Sequence, residues 1–169
     1  MILKLNFKNM LKPIIRLTAI VLFVFIANYV YVGKFDKGDV ELLIVIFSIL
    51  VLPTIYLFIE YFIATRNQTV EITENYIHIS YNNGKDIHYL IQDLKILKLY
   101  KSKGMEKGSF PYQTAEMFYH AKIYTTDGTK IILTSFLGPN FDEALNELVG
   151  VDKKVYRRMY STIYIPSLF

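Results

Sequence analysis

Two histidines, His78 and His88, are the first side chains whose chemistry the sequence brings together. They flank Asn82-Asn83-Gly84, a turn signal between two stretches rich in Ile and Tyr. If that turn joins antiparallel strands, both imidazoles stand on one face at cross-strand distance. There they could ligate zinc, with Asp86 as a third donor. Two solvated histidines on a polar face explain the pattern more simply, so no metal site and no cofactor is expected. His120, on a separate candidate strand, is expected to face solvent.

The other candidate chemistry is cationic. Lys103 to Ser109 reads KGMEKGS, but this lacks the G-x-x-x-x-G-K-[ST] spacing of a phosphate-binding loop. A long loop between strands is expected there, with Lys101, Lys103 and Lys107 available to acidic headgroups or to an acidic partner, or simply solvated. Lys4, Lys8, Lys12 and Arg16 recur every four residues, which puts them on one side of a helix. Near the other end, DKKVYRRMYS from Asp152 to Ser161 continues a helical rhythm. Lys153, Lys154, Arg157 and Arg158 would share one helical face, with Val155, Met159 and tyrosines beside it. Two destinations suit such a tail: an anionic membrane surface, or packing on the domain with its basic face in water. No triad, carboxylate pair or nucleophile–base pair stands out, and an enzyme is the least expected class. From Arg66 onward there are 13 Lys+Arg against 11 Asp+Glu, too small an excess for nucleic-acid binding. The chain has no cysteine, which excludes disulfides and thiolate metal sites.

The elements that must carry these residues divide the chain in two. Leu17–Val32 and Leu42–Ile59 are uncharged. With their flanks they reach about 20 residues each, the length of a helix that crosses a hydrocarbon core of about 30 Å. Thr18, Asn28, Ser48 and Thr54 are too scattered to make a polar face. YVGKFDKGD, from Tyr31 to Asp39, is the turn between the runs, and Pro53 is expected to kink the second. No A-x-A-like cleavage site follows the first run, which favours a hairpin of two spans, about 13–32 and 42–63, over a cleaved leader and one span. The basic residues before the first span place the N-terminus in the cytoplasm, and two spans return the chain there. A multi-pass protein of the cytoplasmic membrane is the expectation, with both termini inside.

After Ala64 the pattern changes to short alternating stretches. Strands are expected at 69–73, 76–81, 85–91, 94–101, 116–125 and 129–135. Three-residue loops, Asn82–Gly84 and Thr126–Gly128, segregate the faces best. The first puts Ile77, Ile79, Tyr81, Ile87, Tyr89 and Ile91 together. The second groups Ala121, Ile123, Ile131 and Leu133, and leaves His120, Lys122, Lys130 and Thr134 on a largely polar face. Asn140 can cap a helix with Glu143 as its reciprocal partner, and Phe141, Ala144, Leu145 and Leu148 form its apolar side.

A transmembrane hairpin, then VEITENYIHI (Val70–Ile79), IHYLIQDLKIL (Ile87–Leu97), KIYTTDGTKIIL (Lys122–Leu133) and a final helix, together resemble the membrane-anchored bacterial PH-like proteins. In those proteins a tryptophan often stands where this chain has Ile91. The resemblance implies a membrane α-helical hairpin at 1–64 and a cytoplasmic all-β or α+β PH-like barrel at 67–149. The barrel would have six or seven strands capped by a C-terminal helix, with the basic tail at 150–169 beyond it. It implies a binding scaffold more than a chemistry. Inositol-lipid binding in the wider fold uses basic residues around the first loop between strands. Taking that loop as Thr73–Tyr76, which carries an acid and no base, gives no such expectation. The chain is therefore expected to be a membrane-tethered, non-enzymatic interaction module. Its partners would be the bilayer, with its anionic headgroups, and an unknown protein or a second copy. The alternative is a small subunit of a transport or envelope-maintenance complex, acting through its hairpin.

Overall fold

In the computed structural model, residues 1–32, 37–102, 105, 114–158 and 160–164 are described. A short strand β1 (Ile2–Lys4) leads into α1 (Phe7–Val32) and α2 (Lys37–Thr65). Then come β2 (Gln68–Ile72), β3 (Tyr76–Tyr81), β4 (Asp86–Leu90), β5 (Leu94–Lys101), β6 (His120–Thr125) and β7 (Lys130–Thr134). A six-residue helix α3 (Phe141–Asn146) and a last strand β8 (Asp152–Arg157) complete the chain.

The strands form two four-stranded sheets, β1-β2-β3-β4 and β7-β6-β5-β8. Among the described residues no strand pairing joins the sheets, so the expected closed barrel is a pair of sheets facing one core. Eight strands are described in place of six or seven, because β1 and β8 add one each. β1 pairs antiparallel with β2, with Leu3 opposite Val70. β8 pairs parallel with β5, with Lys98 opposite Lys154. The basic tail is therefore a strand over 152–157 rather than a helix. Val155, Tyr156 and Arg157 fit a pleated edge, and the free edge of β5 is a long-range partner that a local rhythm cannot reveal.

Both hairpins have the expected register. His78 faces His88 and Ile79 faces Ile87, while the Tyr81 amide donates to the Lys85 carbonyl at 2.9 Å. Gly84 and Gly128 take φ of +80° and +85°, which a side chain would strain. The inward faces meet as expected: Ile77, Ile79, Ala121, Ile123 and Leu133 are fully buried, with Phe141 and Ala144 of α3 closing the core. Asn140 makes no side-chain cap, so the capping box with Glu143 does not form. The strand expected from Glu116 begins at His120, after a 3₁₀ turn at Thr114–Met117.

Two helices are long and apolar enough to cross a membrane, and α2 runs through Pro53 as one helix. The Thr18 and Ser48 hydroxyls bond back to their own helices, to the Ile14 carbonyl at 3.0 Å and the Ile44 carbonyl at 2.8 Å, while the buried Oδ1 of Asn28 has no hydrogen-bond partner among the described residues. The ends near the sheets behave differently. Met10 of α1 and Leu57 and Tyr61 of α2 are buried in one cluster with Ala115, Phe118 and Phe136, and Leu17 and Thr65 are buried as well. Lys4 lies in β1, not on the helix with Lys8, Lys12 and Arg16. The turn at Gly33–Asp36, Lys103 and Lys107, Met159 and residues 165–169 lie outside the described residues.

β1 is three residues long yet supplies a core side chain, since Leu3 is 3% exposed among Val70, Leu133 and Phe141. Leu3→Ala is therefore expected to cost about 2–4 kcal/mol, as for any buried leucine, although it lies at the very start of the chain. Thermal or denaturant melting in detergent checks this. A cost below about 1 kcal/mol would mean that β1 is not a structural strand.

Candidate functional site

The largest gathering of polar groups outside the sheet ladders is the seam where α2 lies against the second sheet. It arises because α2 leaves the apolar run at Ile59 and places Glu60, Tyr61 and Thr65 on the turns that face β6 and β7. Glu60 is 5% exposed. Its carboxylate accepts the backbone N–H groups of Ile163 and Tyr164 at 3.0 and 2.9 Å. The carboxylate is spent on the backbone of residues 160–164, which cross the seam as a strap. Lys122 holds the same strap from the sheet, its Nζ donating to the Ile163 carbonyl at 2.7 Å. Ile163 itself is 2% exposed beside Leu57, Tyr61 and Phe118.

Under the strap lies His120, which is fully buried and not solvent-facing as expected. Its Nδ1 is 3.0 Å from the Tyr61 hydroxyl and 2.9 Å from the Ser161 hydroxyl. Tyr61 gives its one proton to the Ser161 carbonyl at 2.7 Å, and Ser161 gives its own to the Tyr100 carbonyl at 3.0 Å. Both hydroxyls therefore meet His120 as acceptors, so the ring carries its proton on Nδ1. Nε2 is left as a lone pair without a hydrogen-bond partner. Burial, and then the charge of Lys122, push the imidazole down to about 3. Lower on the seam, Thr65 donates to the Tyr61 carbonyl at 2.8 Å and meets the Thr134 hydroxyl at 2.5 Å. Among the groups named here only His120 Nε2 lacks a partner. The seam joins helix to sheet.

The half of the second sheet that was expected to be polar and open is thus covered at His120 and Thr134. No local pattern along β6 announces this, because the covering side chains of α2 lie about 60 residues away.

The remaining candidates fall elsewhere. Lys8 and Lys12 are exposed on α1, with Arg16 one turn further. Taking the basic tail as a strand splits it: Lys154 and Arg158 share the outer face with Tyr156, while Lys153 and Arg157 point the other way. Lys101 is not a loop cation, since its Nζ is 2.7 Å from Asp142 and 4.9 Å from the centre of the Tyr119 ring. Burial and Asp142 raise the Tyr119 hydroxyl above its ordinary value. His78 and His88 do face each other, with ring centres 6.0 Å apart, and Glu71 stands 4.0 Å from His78. Tyr76 stacks on His88 and donates to Glu71, which engages two of these groups with each other. Among the described residues no three His, Asp or Glu side chains converge on one point.

One connection was misplaced at the sequence level. β1 makes the first link between strands the helical pair itself, so Thr73–Tyr76 is the second such loop. The argument against inositol lipids that rested on Thr73–Tyr76 falls with it.

Among known families, residues 3–142 match one described as PH domain. No curated protein and no solved structure gives a match.

The neutral His120 gives a pH signature. Below the ordinary imidazole value of 6.5, the unfolded chain binds a proton that folded His120 refuses until about 3. Stability should be independent of this group above 6.5 and fall as pH drops toward 3, by at most about 1.4 kcal/mol per pH unit. Melting from about pH 7 to about pH 4 is expected to show a shallower fall in His120→Asn than in the parent. Equal slopes would mean that His120 is not held neutral.

Proposed function

The chain belongs to the PH-domain family, and from that premise we propose a membrane-tethered interaction module without enzymatic activity, anchored by α1 and α2 and presenting its sheets to a protein partner in the cytoplasm. The observation that carries this reading is the pairing of β1 with β2. The helical pair is an excursion that leaves one sheet at Lys4 and returns to the same sheet at Gln68. Both ends of the excursion must then lie on one side of any bilayer it crosses. Lys8, Lys12 and Arg16, at its start, support a cytoplasmic position for that side and would offer anionic headgroups a row of cations. The polar seam supports the same reading, because it fixes the anchor rigidly to the sheets. Confinement to a surface raises the effective concentration of the module for partners held there.

A groove of about 290 Å³ between α1 and α2, lined by Ile20, Val24, Leu43, Phe47 and Leu50, favours a second reading. In it the hairpin packs against another helix, as a small subunit of a membrane complex.

Two measurements separate these readings. The chain has no cysteine, so Gly38→Cys and Asn83→Cys each create a single labelling site. In intact expressing cells, a membrane-impermeant maleimide is expected to label the first and to reach the second only after lysis. Labelling of Asn83→Cys in intact cells would refute the topology. Next, the exposed apolar residues of 22–30 and 42–52 would be shuffled among themselves, leaving the docked turns intact. The stoichiometric partners of the full chain in mild detergent are expected to survive the shuffle. Their loss would transfer recognition to the hairpin.

A further inference from the structure

The outer face of the second sheet carries an arrangement that costs the fold stability. Lys98 on β5 lies directly opposite Lys122 on β6 and Lys154 on β8, three lysines in one row across three strands. Like charges directly opposite on neighbouring strands repel. Lys130 and Arg158 extend the same face along β7 and beyond β8. The acids nearby do not balance them. Glu60 is committed to the strap, and Asp152 meets Lys154 only at 3.8 Å. The repulsion reaches Lys122: after burial, the charges of Lys130 and Arg158 lower its affinity for a proton, Glu60 opposes them without reversing the direction, and Lys98 adds the least.

Tyrosines stand between the cations. Lys98 lies 4.8 Å from the centre of the Tyr124 ring and 5.8 Å from that of Tyr156, and Arg158 lies 5.5 Å from that of Tyr100. These contacts orient the charged heads but cannot neutralise them.

We infer that this face, from β8 across β5 to Lys130, is the docking surface of the module for an extended acidic segment of a protein partner. The inference rests on the reading of the chain as an interaction module. Charge complementarity selects the acid: a chain of carboxylates laid along the row supplies the counter-charges that the fold withholds. Orientation selects a protein over the bilayer. Along α2, Phe58 packs on Phe136, Tyr61 meets His120 and Thr65 meets Thr134, and just beyond it, at the start of β2, the Gln68 amide donates to the Ile132 carbonyl. The helix thus runs along β7, and the sheet face stands upright beside it. A flat membrane crossed by α2 meets only the end of that face, near Arg158. Among the described residues, the strap and α2 cover the His120–Thr134 side and leave the β5–β8 side open.

The test uses the full chain in nanodiscs of neutral phosphatidylcholine. The probe is a fluorescent peptide of alternating Glu and Ser, read by anisotropy. Binding is expected, with a loss of roughly tenfold between about 50 and about 300 mM salt. Lys98→Glu is expected to weaken it at least tenfold while raising the melting temperature, because the row loses a repulsion. A purely structural lysine would move neither in that sense. Lys130→Glu, at an exposed position, repeats the test should Lys98→Glu fail to fold. Unchanged peptide affinity in these variants, or no binding at low salt, would overturn the surface. So would phosphatidylserine vesicles captured by the parent and lost by Lys98→Glu, which would give the face to lipid. Native partners that persist after Lys98→Glu would also overturn this surface, yet leave the module reading intact. Failure of the labelling and shuffling measurements would strike that reading itself.

Discussion

Three residues of β1 hold the architecture together. Their pairing with β2 closes a loop of about 60 residues, whose entropic cost rises only slowly with length. Most of that loop is helix, already rigid, so fewer free conformations remain to be lost. In return Leu3 enters the core and the helical pair is forced to begin and end at the same sheet. A helical pair attached only at its far end would be free to swing. Here both of its feet are fixed, and the packing of Met10, Leu57 and Tyr61 on Phe118 and Phe136 can form between surfaces already in register.

The seam adds specificity to that packing. Leu57, Phe118 and Phe136 would accept many apolar helices. A buried carboxylate, an imidazole and two hydroxyls tolerate few alternatives, because a shift of one turn would leave each of them unpaired in a dry interior. The residues 160–164 complete the arrangement by offering backbone donors to Glu60 and carbonyls to Lys122 and Tyr61. The last described segment is therefore as necessary to the junction as the first.

What the sequence disclosed and what it withheld follow the range of the interactions. The turns at Gly84 and Gly128, the inward faces of β3, β4, β6 and β7, and the apolar side of α3 are local patterns, and all were legible. The role of β1 was hidden because three residues carry no period. β8 was hidden because Lys153, Lys154, Arg157 and Arg158 suit a helical face as well as an edge strand, and only the bare edge of β5 decides. His120 was read as exposed because alternation along β6 says which residues share a face. It says nothing of what covers that face. The role of Glu60 was hidden because the amides that donate to it, those of Ile163 and Tyr164, lie about 100 residues away.

The continuity of α2 has a mechanical consequence. One helix of 29 residues serves first as the apolar run and then, without a linker, as the surface on which Tyr61 and Thr65 dock. With that run in a bilayer, as proposed, the sheets would resemble a flag nailed to its pole. Their height above the lipid and their tilt would be set by the helix, and spinning about the pole would be their main remaining freedom. Such a mount gives up the long reach of a tethered domain. It offers instead the same profile at a constant altitude, so a partner travelling in the same plane needs to search in azimuth alone.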